Sequence, residues 1–186
     1  MLRNTENGYG LMAIVFHWLI ALMFIGQAGL GFYMSDLPVD DPLTFRTYQW
    51  HKSIGLTILL LALMRLVWRF ANPQPGLPAA MPDWEKRAAR LAHLFLYAAL
   101  VLVPLAGWAL VSSSPLNIPT FAWSLVVVPH LPLPASEAAE TVWAFVHESL
   151  AKLALLVAIL HIGAALRHEF VLRDGLLARM IRPVRK

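Results

Sequence analysis

The sequence predicts an all-α integral membrane protein, a four-helix bundle with both termini in the cytoplasm. Three observations predict it. Of 186 residues, 59% are hydrophobic and 14% charged, whereas soluble domains are about half apolar and about a quarter charged. Four apolar stretches each approach the roughly 20 residues that a helix needs to cross about 30 Å of hydrocarbon, and within lipid the backbone must satisfy its own hydrogen bonds. The basic residues are also unevenly spread. Arg3, Arg65, Arg69, Lys86, Arg87, Arg90, Arg167, Arg173, Arg179, Arg182, Arg185 and Lys186 fall at the termini, in the second connection or at the adjoining helix ends, and only Arg46, Lys52 and Lys152 fall on the other side. Lysine and arginine accumulate on the cytoplasmic side, which sets the expected orientation.

The first helix is expected over about 11–33, with His17 and Gln27 as its strongly polar members. Its apolar run is longer than that of a signal peptide, and no cleavage site is evident. The second is expected over about 49–70, charged only near its ends, and the third over about 88–111, uncharged after Arg90. Residues 112–136 are uncharged too, but Pro115, Pro119, Pro129, Pro132 and Pro134 interrupt them, so they read as a folded external loop. The fourth helix is expected over about 142–168, broken in character only by Glu148 and Lys152. No internal repeat or low-complexity tract is evident, so one domain, 1–186, accounts for the chain, ending in a basic tail after about residue 173. Its partners are expected to be membrane lipid and small redox molecules rather than nucleic acid. The chain has no cysteine, which excludes disulfides, thiolate metal sites, iron–sulfur clusters and the C-x-x-C-H attachment of a c-type haem.

Histidines carry the chemistry. His147 and His161 lie fourteen residues apart in "HESLAKLALLVAILH", a separation that returns a helix to within about 40° of its starting face after a rise of about 21 Å. Ala151, Ala154 and Ala158 lie between them on that stripe, with Ala165 beyond. His17 shares its stripe with Ala21, Phe24, Ala28 and Gly31, and His51 with Gly55, Ile58, Ala62 and Arg65. Small residues beside inward histidines leave room for something flat and large. Because successive helices alternate direction, His17 and His161 fall at one depth near the cytoplasmic side. His51 and His147 fall at another near the external side, and His93 is a third histidine at the cytoplasmic depth. Two histidines per level suit bis-imidazole ligation of iron in two b-type haems, which would carry electrons and bind no oxygen at the metal. A lone transmembrane histidine also serves interhelical hydrogen bonding or proton relay. Zinc or copper transport usually recruits carboxylate or sulfur ligands, and the helix interiors offer almost none. Arg65, fourteen residues after His51 on the same face, suits a haem propionate; snorkelling toward headgroups is its alternative.

These residues resemble the bacterial cytochrome b561 family of small four-helix di-haem membrane proteins. The resemblance rests on "VFHWLIALMF", "WHKSIGLTILLLALMRLVWRF", "LAHLFLYAALVLVPLAGWALVSS" and "HESLAKLALLVAILHIGAALRHEFVLRDGLLARM". The last is the most specific, because its H-E start, fourteen-residue histidine spacing and R-D-G-L tail occur together. The resemblance implies that His17 and His161 ligate a cytoplasmic haem b and His51 and His147 a periplasmic one. It makes His93 a non-ligand that hydrogen-bonds a propionate or a quinone. Where the family often has two adjacent histidines after the fourth helix, this chain has His168–Glu169.

The expected function is electron transfer within the bacterial inner membrane, exchanged with ubiquinone. By the same resemblance superoxide is the candidate donor, which would make the protein a superoxide:ubiquinone oxidoreductase rather than a plain carrier. Arg46 and Lys52, beside His51, are the candidate contacts for superoxide or quinone. The external side holds three basic against six acidic residues (Asp36, Asp40, Asp41, Glu137, Glu140, Glu148), so attraction of an anion there must be local. Two alternatives remain open at this stage. One is the membrane cytochrome b subunit of a larger dehydrogenase or hydrogenase, with that enzyme as partner. The other is a haem-free transporter or structural bundle.

Overall fold

The computed structural model describes residues 1–184; Arg185 and Lys186, counted above among the basic residues, lie outside the described residues. The chain is all-α apart from one small hairpin, and among the described residues four helices are long and apolar enough to cross a membrane. They are α1 (Leu11–Ser35), α2 (Pro42–Phe70), α3 (Asp83–Ser113) and α4 (Glu137–Arg167).

α1 starts where its apolar stretch does, at Leu11, whereas α2, α3 and α4 begin several residues before theirs, in polar segments that hydropathy does not register. At α2 the Asp41 carboxylate accepts the Leu43 N–H at 2.7 Å. Pro42 takes the first helical position, where its missing N–H costs nothing. At α3, Pro82 precedes a first turn holding Asp83 and Glu85, acidic residues that complement the positive end of the helix dipole. At α4, Ser136 Oγ accepts the Ala139 N–H at 3.2 Å, and Glu137 and Glu140 fill the first turn. α4 ends by widening into a π-helical turn, His168–Leu172, closed by Arg173 at φ 53°.

By packing, the chain divides into two compact units, each drawing on all four long helices. One comprises Met1–Ala21, Leu61–Ala98 and Ala154–Lys186; the other comprises Leu22–Leu60 and Ala99–Leu153. In the first, Ile14, Ile20, Ala62 and Ala154 are buried. Its ends are tied together by backbone bonds: the Met1 ammonium donates to the Val184 carbonyl at 2.9 Å, and the Val184 N–H donates to the Tyr9 carbonyl at 2.9 Å. In the second, Ile58, Ala99, Ala106 and Ala109 are buried. Large apolar side chains on the opposite faces stay open, Leu22 at 67%, Leu94 at 68% and Leu160 at 63% exposure. Such faces suit the lipid tails around a membrane span.

The 112–136 connection is more ordered than its prolines imply. It contains an antiparallel hairpin, β1 (Thr120–Ala122) against β2 (Val126–Val128), with Phe121 opposite Val127. Its turn places Trp123 and Ser124 at positive φ, 52° and 58°. Hairpin turns of this hand match the strand twist but normally use Gly or Asn. Here α2 supports the turn instead. Ser53 Oγ accepts the Trp123 N–H at 3.0 Å and donates to the Phe121 carbonyl at 3.2 Å. Gln49 Oε1 accepts the Phe121 N–H at 3.1 Å, and Trp123 Nε1 donates to Thr57 Oγ1 at 3.0 Å.

Candidate functional site

In the unit that carries the hairpin, α2 and α4 present His51 and His147 to one another, ring centres 6.1 Å apart and planes at 79°. The His147 ring is seated against α3 at Gly107. A Cβ built on Gly107 would lie 3.0 Å from His147 Cε1 and 3.1 Å from Nδ1, so only glycine admits the ring there. The ring then reaches the carbonyl one turn earlier, and its Nδ1–H donates to Val103 O at 2.9 Å. That bond fixes the tautomer and leaves Nε2 with a free lone pair. His51 is packed by α1 in a similar way: a Cβ on Gly31 would lie 3.3 Å from His51 Cε1. Its Nδ1 is buried without a partner among the described residues.

In the unit that carries both termini, three histidines meet. His17 of α1 and His161 of α4 have ring centres 6.4 Å apart at 78°, and His93 of α3 lies 5.2 Å from His161 at 66°. Arg65 of α2 points inward to this cluster. Its Nη1 is 3.1 Å from His17 Nδ1, and its Nε donates to Tyr97 OH at 3.1 Å. Arg65 and Arg69 each lie 5.3 Å from the Tyr97 ring centre. Arg69 also donates to Gln74 Oε1 at 2.8 Å.

The donor set fits two b-type haems on three counts. With imidazole–metal bonds of about 2 Å on each side, two rings sharing one metal ion sit with centres roughly 6 Å apart, as both pairs do. No hydrogen bond joins the two members of either pair among the described residues, and His147 presents an unprotonated Nε2. Two guanidinium groups beside one tyrosine have no carboxylate partner among the described residues, and two propionates would supply that charge. One contact must change. A guanidinium only donates, so its bond to His17 Nδ1 requires the proton on Nε2, the nitrogen that iron would need. Ligation through Nε2 would put the proton on Nδ1 and require Arg65 to turn away from the ring. Arg65→Leu is therefore expected to lower the midpoint potential of one redox component, because less positive charge opposes the oxidised iron. It should leave the other nearly unchanged. Potentiometric titration of the variant checks this, and two unshifted midpoints would assign Arg65 to headgroup contact.

Arg46 and Lys52 lie in the hairpin unit, both on α2, but neither touches the histidine rings. The Arg46 guanidinium stacks 4.5 Å over the Trp50 ring. Lys52 Nζ donates to the Pro119 carbonyl at 3.0 Å, tying the ammonium to the hairpin. Lys52 also lines a small cavity with Gly107, Trp108 and Thr120. Lys152 pairs with Glu148 one turn earlier on the exposed surface of α4.

Four features of the site were not identified from the sequence. Gly107 and the Val103 carbonyl hold His147, and no side-chain pattern marks a backbone acceptor. Tyr97 lies within an apolar run, and its position one turn after His93 is the available signal. Gln27 reads from the sequence only as polar, yet its Nε2 donates to the His51 carbonyl at 2.8 Å. The fourth is His168, buried where α4 widens. Its Nδ1 meets Asp174 Oδ2 at 2.5 Å, and its Nε2 lies 3.7 Å from Glu85 Oε2. Arg167 Nη1 donates to Glu85 Oε1 at 3.0 Å. Burial raises the Asp174 carboxyl, but hydrogen bonds from His168 and the Leu176 N–H outweigh it and hold the group below the usual aspartate range.

Four apolar helices bearing two facing histidine pairs define a polytopic membrane cytochrome. The family model described as Prokaryotic cytochrome b561 matches residues 8–183, and the chain belongs to that family, which implies haem b as cofactor. It is 32% identical to Cytochrome b561 homolog 2 of Escherichia coli (strain K12), over 96% of this chain and 93% of the relative. It is 28% identical to Cytochrome b561 homolog 1 of the same organism, over 97% and 99%. It is 26% identical to Probable superoxide oxidase CybB of Yersinia pestis, over 93% and 95%.

Proposed function

We propose that the protein is a di-haem electron-transfer cytochrome of the bacterial inner membrane, taking electrons from superoxide at the periplasmic side and delivering them to ubiquinone. The carrying observation is the two histidine pairs, 6.4 and 6.1 Å between ring centres. His17 and His161 hold the cytoplasmic haem, and His51 and His147 the periplasmic one. Bound haem would supply reversible one-electron chemistry. The chain's own residues orient and insulate it. Val103 O holds the Nδ1 proton of His147, Arg65 would balance propionate charge, and His93, beside His161, would hydrogen-bond a propionate or a quinone.

Two superoxide ions each give up one electron and leave as oxygen. Ubiquinone takes the two electrons with two protons and leaves as ubiquinol. The superoxide step draws support from the relative whose name carries that activity, and from Lys52 and Arg46 on the helix that bears His51. Removing both charges is expected to slow haem reduction by superoxide and to flatten its dependence on ionic strength. Reduction by a small neutral donor should change far less. Stopped-flow absorbance with a superoxide source measures both rates. If superoxide never reduces the purified protein, a quinol or a partner dehydrogenase is the donor instead, and the protein is an electron carrier.

A further inference from the structure

Two buried polar atoms at the His51–His147 pair have no partner among the described residues, and they are complementary. One is Nδ1 of His51 and the other is Oε1 of Gln27. Unpaired buried polar groups cost about 1–3 kcal/mol each, so both call for an explanation. The amide is not free to be read the other way round. Its second atom lies 2.8 Å from the His51 carbonyl, an acceptor, so that atom is the NH2 and the unpartnered one is the oxygen.

The surroundings hold both groups in one place. A Cβ on Gly55, one turn beyond His51 on α2, would lie 3.4 Å from Gln27 Nε2. A Cβ on Gly31, one turn beyond Gln27 on α1, would lie 3.3 Å from His51 Cε1 and 3.8 Å from Nδ1. The Nδ1 edge of the ring therefore faces α1 one turn from Gln27, since residues four apart share a helix face. If His51 ligates through Nε2, its proton sits on Nδ1 and needs an acceptor.

We propose that Gln27 is the positioning residue for His51. Its Nε2 holds the His51 carbonyl, and its Oε1 receives the Nδ1–H of the ring through one shared water. This gives His51 what Val103 O gives His147, so both imidazoles of the pair carry an accepted Nδ1 proton. An acceptor there makes the imidazole a stronger donor to iron and favours the oxidised state. The inference rests on the haem-ligand reading of His51 but is tested separately from it.

The test compares Gln27→Met with Gln27→Glu. Both lose the amide donor to the His51 carbonyl, and only Glu keeps an acceptor. In potentiometric titration, the component that His147→Ala removes is expected to move to higher potential in Gln27→Met. In Gln27→Glu it should stay in place or move lower, with the other component nearly fixed in both. The largest g value of the ferric electron paramagnetic resonance signal of that component should shift in Gln27→Met and be restored in Gln27→Glu. Loss of the component in Gln27→Met with retention in Gln27→Glu supports the same assignment. Equal behaviour of the two variants, including loss in both, shows that only packing or the carbonyl contact matters and overturns the proposal. So does a shift confined to the other component. Failure of the ligand reading itself looks different, as absence of a low-spin haem signal in the unmodified protein.

Discussion

Replacing His147 with alanine is expected to abolish one of two haem redox components and leave the other in place, and His51→Ala should remove that same component. His161→Ala and His17→Ala should remove the other. The expectation follows from two facts. The rings of each pair face one another at 6.1 and 6.4 Å, and each pair lies within one packing unit. A haem iron held by two imidazoles would lose one of its two bonds to the protein, and a b-type haem would have no covalent tether to hold it. His93→Ala should retain both haems. His93 is the sharpest competitor, because its ring is nearer to His161 than His17 is, 5.2 Å against 6.4 Å. A spacing of 5.2 Å is short of the roughly 6 Å that two metal–imidazole bonds demand. Haem content and titration of the five variants check the pairing. Loss of a haem in His93→Ala with retention in His17→Ala would reassign the ligand.

Gly107→Val is expected to eliminate the same component as His147→Ala, although the change adds only apolar atoms. Even the first added carbon would stand 3.0 Å from His147 Cε1, inside contact distance, on a helix that cannot yield without repacking. The ring must leave, which forfeits the Nδ1–H bond to Val103 O at 2.9 Å. Overpacking costs about 1–3 kcal/mol, and a stranded buried hydrogen-bonding group costs about 1–3 kcal/mol more. Gly26→Val is the matched control, because a Cβ on Gly26 meets nothing within 4 Å. Optical spectra of the two purified variants decide the matter. An intact two-haem spectrum in Gly107→Val would mean that His147 does not use the seat observed.

How much of this could be read from the chain depended on whether the signal was repeated or single. Four transmembrane helices were legible because each carries its message in about twenty side chains. The starts of α2 and α4 were not, because Asp41–Pro42 and Ser136 act through caps at single positions. The hairpin at Thr120–Val128 was hidden for a related reason. Its turn uses Trp123 and Ser124 where glycine or asparagine would have marked it, and its support comes from Ser53 and Gln49 on a distant stretch of chain. The histidines were legible because charge and polarity are rare in lipid, and depth along helices of alternating direction then put four of them in two pairs. Arg65 was legible as an inward cation by helical phase. Its contact with His17 was not, since that depends on how α1 and α2 pack. The seats of the rings lay beyond reach altogether. A glycine in an apolar helix and a backbone carbonyl look the same whether or not an imidazole rests on them.

The most direct test of the central claim is the stoichiometry and spin state of haem in the intact protein. It is measured by alkaline pyridine extraction against protein mass, together with electron paramagnetic resonance of the oxidised form. The two facing histidine pairs predict two haems b per chain, both low-spin and six-coordinate, with two distinct ferric signals. One haem per chain, or a high-spin five-coordinate signal in undamaged protein, would contradict it.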